Sequence, residues 1–132
     1  MICVATKLLF SLHIFFENNE GTLPPDLFTL TNLKQLDINN NQISGSVDGI
    51  EALNKLEFLQ LHHNTFIGSI PNGVSELTNL RVFTTYGNNF TIVPNLCENR
   101  DVNGGKLSIF ITDCSTSCPC CSSVFCRQQD DN

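Results

Sequence analysis

Apolar and polar positions recur along this chain with a long period. Leu9, Leu33, Leu56 and Leu80 stand 24, 23 and 24 residues apart, and each opens the same succession of apolar residues, Asn and Gly. The third stretch is the fullest: Leu56, Leu59, Leu61, Asn64, Phe66, Gly68, Ile70 and Pro71. Alternation at Leu59 and Leu61 predicts a short strand with both leucines inward and the residues beside them outward. Asn64 falls where the chain leaves that strand, and its amide is suited to satisfying backbone groups that the turn buries. Gly68 permits a conformation or a close backbone approach that a side chain blocks, and Pro71 stiffens the connector behind it.

The second stretch repeats the pattern with Leu33, Leu36, Ile38, Asn41, Ile43, Gly45 and Val47. The fourth starts well, with Leu80, Phe83, Asn88 and Phe90, then drifts: Thr85 replaces the second strand leucine and Ile92 the glycine. A skeleton L-x-x-L-x-L-x-x-N-x-L-x-G-x-[IL]-P, repeating at roughly 20 to 29 residues, marks a leucine-rich repeat solenoid. The predicted fold class is an α/β-type repeat solenoid: right-handed, with short parallel strands on the concave face and an irregular or 3₁₀ convex side. Repeats are expected at 9–32, 33–55, 56–79 and 80–96, after a leader or remnant at 1–8. A cysteine-rich cap at 97–126 and a loose tail at 127–132 follow. Leu107-Ser108-Ile109-Phe110-Ile111 alternates like a strand and is expected to close the stack, with Asn103-Gly104-Gly105 as the turn before it.

The stretches Phe66-Ile67-Gly68-Ser69-Ile70-Pro71 and Gly21-Thr22-Leu23-Pro24 carry a family signature. From Leu9 to Val93 the chain resembles the plant-type leucine-rich repeat proteins, which include receptor-kinase ectodomains and polygalacturonase-inhibiting proteins. The tail, Asp113-Cys114 with Cys118, Cys120, Cys121 and Cys126, resembles more loosely the cysteine-rich end of secreted leucine-rich repeat proteins of microalgae such as diatoms. This resemblance is specific for fold. Function is another matter, because one solenoid hosts many unrelated partners.

The first twenty residues admit two readings. Leu8 to Phe16 after Lys7 is apolar enough for the core of a secretory signal peptide, but no small-residue cleavage motif follows it. Stepping back 24 residues from the second stretch lands instead on Leu9, Leu12, Ile14, Gly21 and Leu23, so the periodicity favours a repeat strand. Glu17 and Asn19 make its turn imperfect, and Phe10, Phe15 and Phe16 fall on exposed positions. No polar cap precedes Leu9, so the first strand is expected to be an open edge, able to pair with another chain in self-association. The expectation is therefore a sequence that has lost its natural beginning, or a gene fragment with its secretion signal upstream.

Composition narrows the function classes. With 7 Lys and Arg against 13 Asp and Glu, the net charge is -6 and no basic cluster exists, which argues against nucleic acid and anionic membrane surfaces. No stretch is long and apolar enough to span a bilayer. Of 7 cysteines, Cys3 stands alone, while Cys97, Cys114, Cys118, Cys120, Cys121 and Cys126 gather at the end. An even set of this kind points to disulfides in an oxidising compartment, hence a secreted or cell-surface protein, without choosing among the pairings. The rival is a metal knot, since Cys118-Pro119-Cys120-Cys121 holds a C-x-x-C, but the second spaced pair of a structural zinc site is missing. Asn89-Phe90-Thr91 is an N-glycosylation sequon, relevant only to a secreted chain.

Candidate chemistry lies on the outward strand positions, which form columns across the concave face. Phe10, Lys34, Glu57 and Arg81 make one; Ser11, Gln35, Phe58 and Val82 the next; then His13, Asp37, Gln60 and Thr84; then Phe15, Asn39, His62 and Tyr86. Gln35, Asp37, Asn39, Phe58, Gln60, His62, Arg81, Thr84 and Tyr86 are the predicted binding residues, because aromatic anchors ringed by hydrogen-bonding groups carry most interface energy. Asn41, Asn64 and Asn88 are assigned to a structural ladder. His62-His63 invites a metal reading, but adjacent strand residues point to opposite sides unless the strand has ended. Neither a cofactor nor a metal is expected, and no nucleophile elbow, phosphate loop or zinc-protease helix is present. The function expected is non-catalytic recognition of a protein or cell-surface glycan. The alternative is a structural cell-wall protein or an inhibitor of a foreign hydrolase, as resemblance to the polygalacturonase inhibitors implies. Ice or mineral binding would need ranks of Thr or Asn on one face, and the aligned Asn41, Asn64 and Asn88 are already explained by the fold.

Overall fold

The computed structural model describes residues 10–13, 20–119 and 126–127. Ten short strands alternate with 3₁₀ turns: β1 (Ser11–His13), β2 (Glu20–Thr22), β3 (Gln35–Asp37), β4 (Gln42–Gly45), β5 (Phe58–Gln60), β6 (Thr65–Ser69), β7 (Val82–Thr84), β8 (Asn89–Ile92), β9 (Ile109–Asp113) and β10 (Cys126–Arg127). They form two parallel sheets. The first has the order β1-β3-β5-β7-β9-β10 and the second β2-β4-β6-β8. Each passage of the chain thus contributes one strand to each sheet, as a solenoid requires.

The expected inward residues build the core. Leu33, Leu36, Ile38, Leu56, Leu59 and Leu61 are fully buried, and Leu80, Phe83, Leu107 and Phe110 continue the same rows. Equivalent aromatic rings stack across neighbouring repeats: Phe66 on Phe90 with centroids 5.9 Å apart, and Phe83 on Phe110 at 5.4 Å. From the far side, 3₁₀ turns at Pro25–Thr29, Ile50–Ala52 and Asn72–Glu76 bury Leu27, Ile50 and Val74.

The asparagine ladder ties one repeat to the next. Asn64 Nδ2 donates to the carbonyls of Ile38 and Leu61 at 2.8 and 3.1 Å, and its Oδ1 accepts the N–H of Ile43. Asn88 does the same one repeat on, donating to Leu61 and Thr85 and accepting from Phe66 N–H. Asn41 donates to Ile38 and Asn39. Each amide therefore satisfies backbone groups that the turn removes from water.

The convex side departs from expectation. It carries the 3₁₀ turns, but the stretch leaving each Asn is a strand of the second parallel sheet rather than irregular chain. The ladder holds successive exits in register, so the extended residues behind them lie at strand spacing and pair. Gly45 and Gly68 end this run at φ of 81° and 83°, and a Cβ on Gly68 would meet nothing within 4 Å. Backbone conformation, not close approach, is the reason for glycine there.

The stack also continues past residue 96. β9 pairs with β7 in register, Val82 with Ile109 and Phe83 with Phe110, and it begins two residues later than the alternation from Leu107 implied. It does not close the sheet, because β10 pairs on its outer side. The expected turn before it is present: Gly104 has φ 94° and Gly105 N–H donates to Arg100 at 2.9 Å. Cys97, Cys114 and Cys118 are disulfide-bonded. Cys3, Cys120, Cys121 and the Cys126 side chain lie outside the described residues, as do Ile14, Phe15 and Phe16.

Candidate binding face

Register in the first sheet places the columns. Ser11, Gln35, Phe58, Val82 and Ile109 are successive partners, and so are His13, Asp37, Gln60, Thr84 and Ile111. Past the strand ends the alignment persists, because Asn40 N–H donates to His62 and His63 N–H to Tyr86. Asn39, His62 and Tyr86 therefore form a further column. The register also brings in β9, whose Ile109 extends the Phe58–Val82 row and is 47% exposed. The sequence pattern omitted it because β9 stands 27 residues after β7 rather than 23 or 24.

Across the face the chemistry is graded. Along one border Glu57 lies between two cations, 3.9 Å from Lys34 Nζ and 3.6 Å from Arg81 Nε. The groups are open enough to water that each pair is worth under about 1 kcal/mol, so the border remains a mixed-charge rim. Next comes the half-buried row of Phe58 and Val82 with Ile109. Beyond it Asn39 Nδ2 donates to Asp37 Oδ1 and lies 3.5 Å from Gln60 Oε1, forming a polar strip.

The last column is aromatic. The imidazole of His62 stacks on Tyr86 with centroids 4.7 Å apart and planes 14° from parallel, and His63 meets the same ring edge-on at 5.1 Å. The strand has ended at Gln60, and His63 adopts φ 56°, which turns both imidazoles toward Tyr86 instead of to opposite sides. Gly87 allows the close packing, since a Cβ there would stand 2.6 Å from His63 Nδ1. Among the described residues no group of three or more His, Cys, Asp or Glu is placed to hold a metal.

Eight of the nine predicted binding residues are half-buried or exposed. Thr84 is different: it is 6% exposed, covered by His62, whose Nδ1 lies 2.7 Å from Thr84 Oγ1. It is an outward strand residue overlaid by its neighbour, so it orients the His62–Tyr86 stack rather than meeting a partner itself.

One further juxtaposition escapes a linear reading. Ser11 Oγ lies 2.9 Å from His13 Nε2, and His13 Nδ1 lies 3.6 Å from Asp37 Oδ2, the order of groups in a serine hydrolase relay. The second distance is too long for a hydrogen bond. Ser11 and His13 are exposed on a regular strand, whereas nucleophilic catalysis needs a dry site lined with preorganised donors.

Comparison with known proteins agrees with this geometry. Residues 31–72 match the family model "Leucine Rich repeats (2 copies)". The chain is 35% identical over 74 residues to Receptor-like protein 31 of Arabidopsis thaliana, covering 54% of this chain but 9% of that protein. It superimposes on a TDR receptor with a TM-score of 0.71 and 32% identity, covering 83% of this chain and 18% of the other. It shares the fold of the plant peptide hormone receptor RGFR1, solved with RGF2, with a TM-score of 0.70 and 23% identity over 81% of this chain and 17% of that one. The chain is a leucine-rich repeat protein, with repeats of the kind found in plant receptor-like proteins.

Proposed function

We propose that this chain is a non-catalytic recognition module that holds a protein or peptide along its concave face, in an extracellular or cell-surface setting. The observation carrying the proposal is the apolar row Phe58, Val82 and Ile109, running across three adjacent strands between a charged rim and a polar strip. An apolar seam with hydrogen-bonding groups on both sides is what an extended polypeptide needs for its side chains and its backbone. The His62–Tyr86 stack bounds one side of the surface with preorganised rings that lose little entropy on binding. RGFR1 supports the reading by analogy of fold, as a plant peptide hormone receptor. The half-cystines Cys97, Cys114 and Cys118 support an oxidising compartment.

A glycan is the rival ligand class, since Tyr86 with Asn39 and Gln60 also suits a sugar face. Immobilising the whole chain and screening a displayed peptide library beside a glycan array separates the two. Peptide hits that weaken together in Phe58→Ala and Tyr86→Ala support the proposal. Glycan hits alone, or peptide hits indifferent to both substitutions, overturn it.

A further inference from the structure

The second sheet presents a surface that the concave face does not account for. Ile67 on β6 and Ile92 on β8 are 54% and 50% exposed, two of the four large apolar side chains so open among the described residues. Asn89 stands beside them. It is the register partner of Ile67, it is exposed, and it opens the sequon Asn89-Phe90-Thr91. Phe90, the middle residue, points inward at 5% exposure and stacks on Phe66, so strand alternation sends Asn89 and Thr91 outward.

We propose that Asn89 carries an N-linked glycan whose first N-acetylglucosamine rests on Ile67 and Ile92, making this flank of the solenoid a sugar-covered wall. Sequons are modified on the unfolded chain, so the folded structure must then have room for the product. Here it has, because Asn89 leaves the sheet on its solvent side. The reaction joins Asn89 Nδ2 to C1 of a polyprenyl-diphosphate-linked oligosaccharide. The C1–O bond to the diphosphate breaks, the diphosphate leaves with the electron pair, and the amide nitrogen loses one proton.

Register then decides where the sugar lies. Partnered residues on adjacent strands sit about 4.8 Å apart, so a sugar on Asn89 has the Ile67 side chain within van der Waals reach. Its acetamido methyl and C–H face are apolar and suited to covering an exposed isoleucine, while its hydroxyls face water. The second sheet lies across the core from the concave strands, so the glycan leaves the proposed binding face open and blocks lateral docking of the flank.

The test passes the whole chain through a eukaryotic secretory pathway behind a cleavable leader. The peptide containing Asn89 should carry hexose and N-acetylhexosamine mass that peptide-N-glycosidase removes. Asn89→Gln and Thr91→Ala should lose that mass, and Thr91→Ser should keep it. Removing the glycan should lower the Tm by about 2 to 4 °C, a shift typical of a modest loss in a domain this size. Trimming to one N-acetylglucosamine should leave the Tm unchanged, and Ile67→Ser should abolish the difference between the glycosylated and stripped forms. An unmodified Asn89 in secreted, disulfide-bonded chain overturns the site. A Tm indifferent to glycan removal, or an Ile67→Ser difference equal to that of the original chain, overturns the packing.

Discussion

The carboxylate of Asp113 receives the backbone N–H of Gly87 through both oxygens at 3.0 Å, and that of Asn88 at 3.4 Å. Asp113 is 3% exposed, so these donors have no water to fall back on. In the earlier repeats the N–H groups around the turn are taken by the asparagine ladder and by neighbouring carbonyls. At the last ladder asparagine a side chain from the next strand does part of that work. Asp113→Ala should destabilise the fold by about 2 to 3 kcal/mol, the cost of losing hydrogen bonds to a charged group and stranding their donors. Asp113→Asn keeps an acceptor oxygen and should lose less. Urea unfolding of the two variants checks the order.

Leu59 is fully buried at the middle of β5, with Leu36 and Phe83 as its register partners. Leu59→Ala should cost about 2 to 5 kcal/mol, as truncations in packed cores do. A short solenoid with a few kcal/mol in reserve should show this as a large fall in Tm. An unchanged Tm would refute the inward assignment.

Thr85 takes the place that Leu61 and Ile38 hold in earlier repeats, and Thr112 follows it in the next. Both are buried, at 0% and 1% exposure, and neither hydroxyl has a hydrogen-bond partner. Thr85→Val replaces a stranded hydroxyl by a methyl of the same shape and should stabilise the fold by about 1 kcal/mol. Thermal unfolding against the original chain decides it, and a loss of stability would reveal a hidden partner for the hydroxyl.

Phe58→Ala and Tyr86→Ala should separate binding from folding. Phe58 is half-buried on the sheet face and Tyr86 packs against the two imidazoles, so each change should cost under about 1 kcal/mol of stability. Affinity for a concave-face ligand should drop about thirtyfold for a central anchor. Asn72→Ala, exposed on the opposite side, should leave affinity unchanged. Titration of each variant with the same ligand supplies the comparison.

Cys97, Cys114 and Cys118 should resist alkylation until the native protein is reduced, which mass spectrometry under non-reducing conditions reads directly. Reduction should lower stability by about 2 to 4 kcal/mol if these bridges tie the last turns of the stack. Free thiols at all three positions would refute the assignment and return the metal knot to consideration.

The sequence by itself determined the repeat and its inward residues, because a period near 24 and an alternation of 2 are properties of a single strand and its turn. Leu36, Leu59 and Phe83 were legible as core, Asn64 and Asn88 as a ladder, and Phe58 and Gln60 as outward, without knowledge of any neighbour. Whatever depends on two repeats at once was decided by tertiary structure. The second sheet appears because the ladder brings successive exits alongside one another. Thr84 is covered because His62, one repeat earlier, turns over it, and Asp113 finds Gly87 across a spacing of 27 rather than 24 that hides β9 from the periodicity. Linear pattern reports the direction in which a side chain leaves the backbone; what it meets there is set by how the coils stack.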